Sequence, residues 1–203
     1  MNRWHGLVLS LLLAILCLAP AASAQVEGPH LGFSAQGGGN FWTGGKPLEN
    51  DLIYGGRLAL MPWSRVGVEG TVELHPTQRA GGNDFRVTHL SADAIVEILP
   101  FHRLNPYLTA GLTRLHVDDL GAGEENWNGW EIGGGLLVAL ANAEGRQVDL
   151  RLDLRRVVSE RKSAGPNDDN FPTNWIATLG LRFALGANPA DGDADGVPDR
   201  SDR

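Results

Sequence analysis

The sequence predicts an all-β fold, an eight-stranded antiparallel up-and-down transmembrane β-barrel, from three observations. The stretch 147–158, QVDLRLDLRRVV, alternates Val148, Leu150, Leu152 and Leu154 with Asp149, Arg151, Asp153 and Arg155. A period of two sorts aliphatics and charges onto opposite faces, a separation no helix can make. Seven further segments of strand length surround it, with intervals that alternate long and short. Aromatic residues gather near both ends of those segments, where a bilayer's two interfaces would select them.

Taken in order, the chain opens on an export signal at 1–24. Arg3 precedes the apolar run Leu7 to Leu18, and Ala22-Ser23-Ala24 offers a cleavage site ahead of Gln25. The run is shorter than the roughly 20 residues a spanning helix needs. Cys17 lies inside it, and Ala14-Ile15-Leu16 lacks the small residue that precedes a lipidated cysteine, so lipidation is not expected.

Eight strands follow at 30–42, 52–61, 65–75, 85–98, 107–117, 127–140, 147–158 and 174–185, bounded by Gly, Pro, Asn and Asp. The second sets Leu52, Tyr54, Leu58 and Leu60 against Arg57. The third sets Val66, Val68, Val72 and Leu74 against Glu69, Thr71, Glu73 and His75. Helix propensity at 92–99 gives way to an alternation running from Arg86, with Thr88, Leu90, Ala92, Ala94, Val96 and Ile98 opposite His89, Ser91, Asp93 and Glu97. In the sixth strand Trp130, Ile132, Leu136, Val138 and Leu140 oppose Glu131 and Gly133-Gly134-Gly135. In the eighth, Trp175, Ala177, Leu179, Leu181 and Phe183 oppose Thr178, Gly180 and Arg182. The first and fifth strands do not sort cleanly by face.

Both charge signs recur on the non-aliphatic faces. In a narrow lumen Glu69, Glu73, Asp93, Glu97, Glu131, Asp149 and Asp153 are expected to pair with Arg57, Arg151, Arg155 and Arg182, since unpaired buried charges are costly. The predicted long intervals are 43–51, 76–84, 118–126 and 159–173, and the short ones 62–64, 99–106 and 141–146. Long loops on one side and short turns on the other characterise membrane barrels. Phe41, Trp42, Tyr54, Phe85, Trp127, Trp130, Phe171 and Trp175 fall near the long-loop ends; Trp63, Phe101, Tyr107 and Phe183 fall near the short turns.

Composition narrows the function classes. The only cysteine leaves with the signal, which removes disulfides and thiol chemistry from the mature chain. A formal charge of −7 with no basic stretch argues against a nucleic-acid partner. His89 and Ser91 share a strand face, as a base and nucleophile would, but they lie on the charged side among carboxylates, where a hydrogen-bonded lumen pair is the plainer expectation. No enzyme activity is expected. The alternatives are a lipid A modifying barrel enzyme and a soluble periplasmic barrel binding an apolar ligand inside. A continuous pore is not expected, because side chains fill an eight-stranded interior.

Asn105-Pro106-Tyr107-Leu108-Thr109-Ala110-Gly111-Leu112 and the closing Thr178-Leu179-Gly180-Leu181-Arg182-Phe183 resemble segments of the OmpA-like eight-stranded outer-membrane barrels over 25–186. The resemblance implies a Gram-negative cell outer membrane, contact with its lipid, and recognition of the closing strand by the barrel-assembly machinery. A structural, envelope-anchoring or surface-interaction role follows from it, with loop 159–173 as the natural contact for an extracellular ligand.

The tail, 187–203, carries a sharper motif. Asp191, Asp193, Asp195, Asp199 and Asp202 place carboxylates at loop positions 1, 3, 5, 9 and 12, with Gly196 at 6 and the Val197 carbonyl at 7. Hard oxygens at that spacing suit Ca²⁺. Asp202 stands where a bidentate Glu is usual and no flanking helix is evident, so the stretch resembles a thrombospondin type 3 repeat more than an EF-hand. An acidic disordered tail is the alternative. In many OmpA-like proteins such a repeat leads to a peptidoglycan-binding domain; here the chain either lacks that module or is truncated.

Overall fold

The computed structural model describes residues 29–43, 51–78, 84–100, 102–119, 123–143, 145–160 and 173–186. Eight strands account for nearly all of them: β1 (His30–Trp42), β2 (Asp51–Met61), β3 (Val66–Gln78), β4 (Asp84–Glu97), β5 (Leu104–Asp119), β6 (Gly123–Ala143), β7 (Arg146–Glu160) and β8 (Thr173–Gly186). Each pairs antiparallel with its sequence neighbours, and β8 returns to β1 to close the barrel. The predicted fold class is the observed one, and 92–97 is strand, continuing the alternation that overrode its helix propensity.

The ladders fix how the strands tilt. Stepping between directly paired residues, Leu31 leads to Leu60, Val68, Ala94, Ala110, Ile132, Arg156, Trp175 and then Phe41. One circuit therefore returns to β1 ten residues further along. Such a stagger forces strands to lie oblique to the barrel axis, by about 35–45°. It also sets which inward side chains meet across the interior.

Three expectations need correction. The interval 118–126 is mostly ladder: Asp118 pairs with Glu124, so only 120–122 separates β5 from β6. Likewise β3 and β4 pair out to Gln78 and Asp84. Polar hairpin arms still satisfy their backbone groups by pairing after the apolar face has ended. The simple long-short alternation thus weakens, because 98–103 outlasts both 79–83 and 120–122; the intervals 43–50 and 161–172 remain long. The second correction is Val138, predicted on the aliphatic outer face but only 1% exposed. It sits beside the register irregularity at Ala139 and Ala141, where the Ala139 N–H donates to the Arg103 carbonyl at 2.9 Å.

Elsewhere the face assignments agree with the sequence. Leu52, Tyr54, Leu58, Val68, Val72, Leu90, Ile132, Leu154, Leu179 and Phe183 are exposed on the outside, whereas Arg57, Glu69, Glu73, His89, Glu131, Asp149, Arg151, Asp153, Arg155 and Arg182 are buried inside. The soluble alternative requires the reverse, with aliphatics within and charges in water, and the structure overturns it. The third correction concerns the aromatics, which divide. Phe41, Tyr54, Trp63, Trp130, Trp175 and Phe183 are exposed, but Tyr107 and Trp127 are buried and Trp42 packs inward against Trp127. Those three are lumen plugs, because strand parity rather than nearness to an end decides their direction.

At the β6–β7 turn Gly145 has φ +67°, and a Cβ there would also lie 2.7 Å from the Gly186 carbonyl. Glycine meets both demands.

Candidate functional site: the charged lumen

The inward residues form a continuous polar network between apolar clusters. At the end holding both described termini, Arg182 Nη1 donates to Glu97 Oε1 at 2.8 Å and its Nη2 lies 2.8 Å from His30 Nε2. Asn105 donates to the other Glu97 oxygen at 2.6 Å. Met61, Ile95, Tyr107 and Leu137 pack together in this half.

Further in, Arg151 spans both oxygens of Glu69, at 2.5 and 2.9 Å, and donates to the Tyr107 hydroxyl at 2.9 Å. That hydroxyl donates to Asp153, and the Arg151 guanidinium lies 4.7 Å from the Tyr107 ring centroid. Arg57 ties Glu69, at 3.1 Å, to Asp153, at 2.6 Å. Arg155 then pairs with Glu73 and, at 3.0 Å, with Glu131. Multiple charge-assisted contacts of this kind offset the desolvation that isolated pairs would suffer.

Beyond Arg155 lies a histidine cluster. Glu73 and His89 are direct cross-strand partners. His89 Nδ1 is 2.8 Å from Glu73 Oε2, and His89 Nε2 is 2.8 Å from Glu131 Oε2, so one enclosed imidazole sits between two carboxylates. His75 meets the His89 ring edge to face at 5.9 Å and holds its Nδ1 3.2 Å from the Asn40 amide, which is joined at 2.6 Å to Asn174. Toward the connections that follow β1, β3, β5 and β7, the lumen is filled by Val87, Leu115, Val117 and Trp127, with Trp42 packed on them.

Two glycines of the 133–135 run make room for this network. A Cβ on Gly133 would lie 2.4 Å from Arg155 Cγ, and one on Gly135 would lie 2.4 Å from the Tyr107 hydroxyl. The glycines serve packing, not a passage.

Most of the expected charged residues converge as the alternation required. Among the buried described residues seven carboxylates face four arginines, an excess that leaves Asp93 held by the Ser91 hydroxyl at 2.6 Å instead of by a guanidinium. His89 and Ser91, considered as a base and nucleophile, are therefore committed to different carboxylates. His89 is 0% exposed and faces away from lipid. The alternation turns His75 inward with Glu73 but does not show that it meets His89 and Asn40, which come from other strands. The sequence reading missed Tyr107, Gln36, Asn40 and Asn174. The predicted Ca²⁺ ligands Asp191, Asp193, Asp195, Val197, Asp199 and Asp202 lie outside the described residues, as do 1–24 and 161–172. A metal-competent set does occur inside the barrel: Glu73, His75 and His89 each offer a ligand atom within 4.8 Å of the others.

Comparison with known proteins bears on the whole barrel. A family described as "Outer membrane protein beta-barrel domain" matches residues 8–183. The N-terminal β-barrel domain of Pseudomonas aeruginosa OprF superposes with a TM-score of 0.52 at 18% identity, covering 79% of this chain and 100% of that domain. Neisserial surface protein A gives 0.56 at 17% identity, covering 75% of this chain and 95% of its own. These two likenesses are of fold. No curated protein matches the chain.

Proposed function

The chain belongs to the outer membrane protein β-barrel family, and from that premise we propose that it is a structural, envelope-anchoring or surface-interaction protein, neither enzyme nor pore. One observation carries the reading: side chains fill the lumen, with most of its charges paired to one another, from Arg182 and Glu97 at one end to the Trp127 cluster at the other. The exposed aliphatic band meets lipid. The intervals 43–50 and 161–172 then become the parts of the barrel free to contact a partner outside the cell. Both ends of the barrel chain lie at the opposite mouth, since His30 pairs with Gly186, and they belong in the periplasm.

A lipid A modifying enzyme needs its histidine against the acyl chains, and His89 is walled off from them by the β-sheet. The 187–203 segment is assigned to periplasmic Ca²⁺ binding through Asp191, Asp193, Asp195, the Val197 carbonyl, Asp199 and Asp202, on the strength of their spacing.

Trypsin treatment of intact cells tests the surface role and its orientation. Cleavage is expected at Arg161 or Lys162 with the two fragments remaining together as a heat-modifiable barrel. Protection in intact cells, with cleavage only after the periplasmic side is opened, would reverse the orientation and remove 161–172 as an outside contact. Calcium titration of the full chain, with Asp191→Asn and Asp195→Asn in parallel, tests the tail; equal heats for wild type and the double variant would sink that assignment.

A further inference from the structure

We propose that the lumen binds one divalent transition-metal ion between Glu73, His75 and His89. Zinc-like ions favour imidazole and carboxylate donors in compact, four-coordinate arrangements. The three residues supply that chemistry from two adjacent strands, with ligand atoms within 4.8 Å of one another. Glu73 Oε2 is 2.8 Å from His89 Nδ1 and 3.9 Å from His75 Nε2, which bracket the roughly 3.4 Å expected between donors on one tetrahedral ion.

Candidate outer-shell groups lie beside both histidines. A metal-bound histidine usually presents its second nitrogen to a carboxylate or carbonyl, which fixes the ring and strengthens the donor. His89 presents Nε2 to Glu131, and His75 presents Nδ1 to Asn40. Reversing the amides of Asn40 and Asn174 lets Asn40 accept from His75 while keeping both contacts, and this frees the lone pair of His75 Nε2 for the ion. On Glu73, Arg155 and Gln36 occupy Oε1, leaving Oε2 facing the imidazoles.

Two further observations favour a cation here. His75 Nε2 is buried without a hydrogen-bond partner. His89 also lies between two carboxylates at 2.8 Å, and a neutral imidazole has only one N–H, so its lone pair would face a carboxylate. Either a second proton or a metal ion must occupy the Glu73 side. The excess of buried carboxylates over arginines favours the divalent charge. Val87 and Leu115 cover the cluster toward the connections, so the ion enters as the barrel closes and is retained.

The test is to refold the full chain in detergent with Co²⁺ or Zn²⁺ and excess Ca²⁺, the latter to occupy the acidic tail, and then to remove loose metal with a chelator. One retained equivalent is expected, with the strong visible absorption of Co²⁺ held four-coordinate by the three side chains and one water, and its loss when Zn²⁺ replaces Co²⁺ during refolding. His75→Gln, verified as folded by its heat-dependent gel shift, is expected to lose the retained metal. Glu131→Gln keeps the absorption but weakens retention by about tenfold. His116→Gln, on the outer face, leaves both unchanged. No retained equivalent in heat-modifiable wild type, or equal retention by His75→Gln, would overturn the proposal.

Discussion

Arg57 on β2 touches Glu69 on the next strand and Asp153 on β7, residues 12 and 96 positions away in sequence. Period-two alternation was enough to turn all three inward, but it did not reveal that they meet, because that depends on register and stagger around a closed circuit. Replacing Arg57 with Met removes one of the cations shared by Glu69 and Asp153, both of which keep Arg151, and is expected to cost about 1–3 kcal/mol, read as a lowered urea midpoint for the refolded barrel. An unchanged midpoint would show that the network is not what holds the interior. Gly145→Ala is expected to cost about 1–2 kcal/mol through its left-handed backbone alone, before the approach of Gly186 is counted. The same limit applies to His75: its partners Asn40 and His89 lie on two other strands.

A strand was legible to the degree that its two faces differed in chemistry. β7 separates aliphatics from charges without exception between Val148 and Arg155, and its predicted span differs from Arg146–Glu160 by only a residue or two. β5 resisted assignment because both faces carry apolar residues: Leu108 and Leu112 face lipid, while Tyr107, Leu115 and Val117 fill the lumen. The sequence pattern shows period, and where the interior is itself apolar, period alone cannot name the inside. An outward charge tests the assignment. Leu112→Arg places a cation in the lipid-facing band at a position 73% exposed; a loss of about 2–4 kcal/mol is expected in lipid vesicles if the site lies near the midplane, and little in detergent. A large loss in both media would mean that Leu112 is packed within the protein.

At the scale of the molecule, closure and filling make separate predictions. Membrane fractions run without boiling are expected to show a faster band that moves on heating; release as a soluble species without such a shift would end the membrane reading. Planar bilayers holding the wild-type protein are expected to show no steady conductance, whereas Arg151→Ala with Arg155→Ala removes the two largest fully buried side chains, and Trp127→Ala added to them thins the apolar end and opens one. Steady current through the unaltered protein would mean that the side-chain network parts in the membrane. Closure was legible only as an even strand count, and the β1–β8 register appears nowhere in local sequence. That seam joins His30 to Gly186 and Phe41 to Trp175, pairings that span nearly the whole described chain. Their contact order is close to the largest this barrel allows, so they come late and set the folding rate. Before β8 arrives, β1 and β7 are both open edges able to recruit another chain. Both margins stay adhesive until β8 pairs with β1, and that strand acts as the latch.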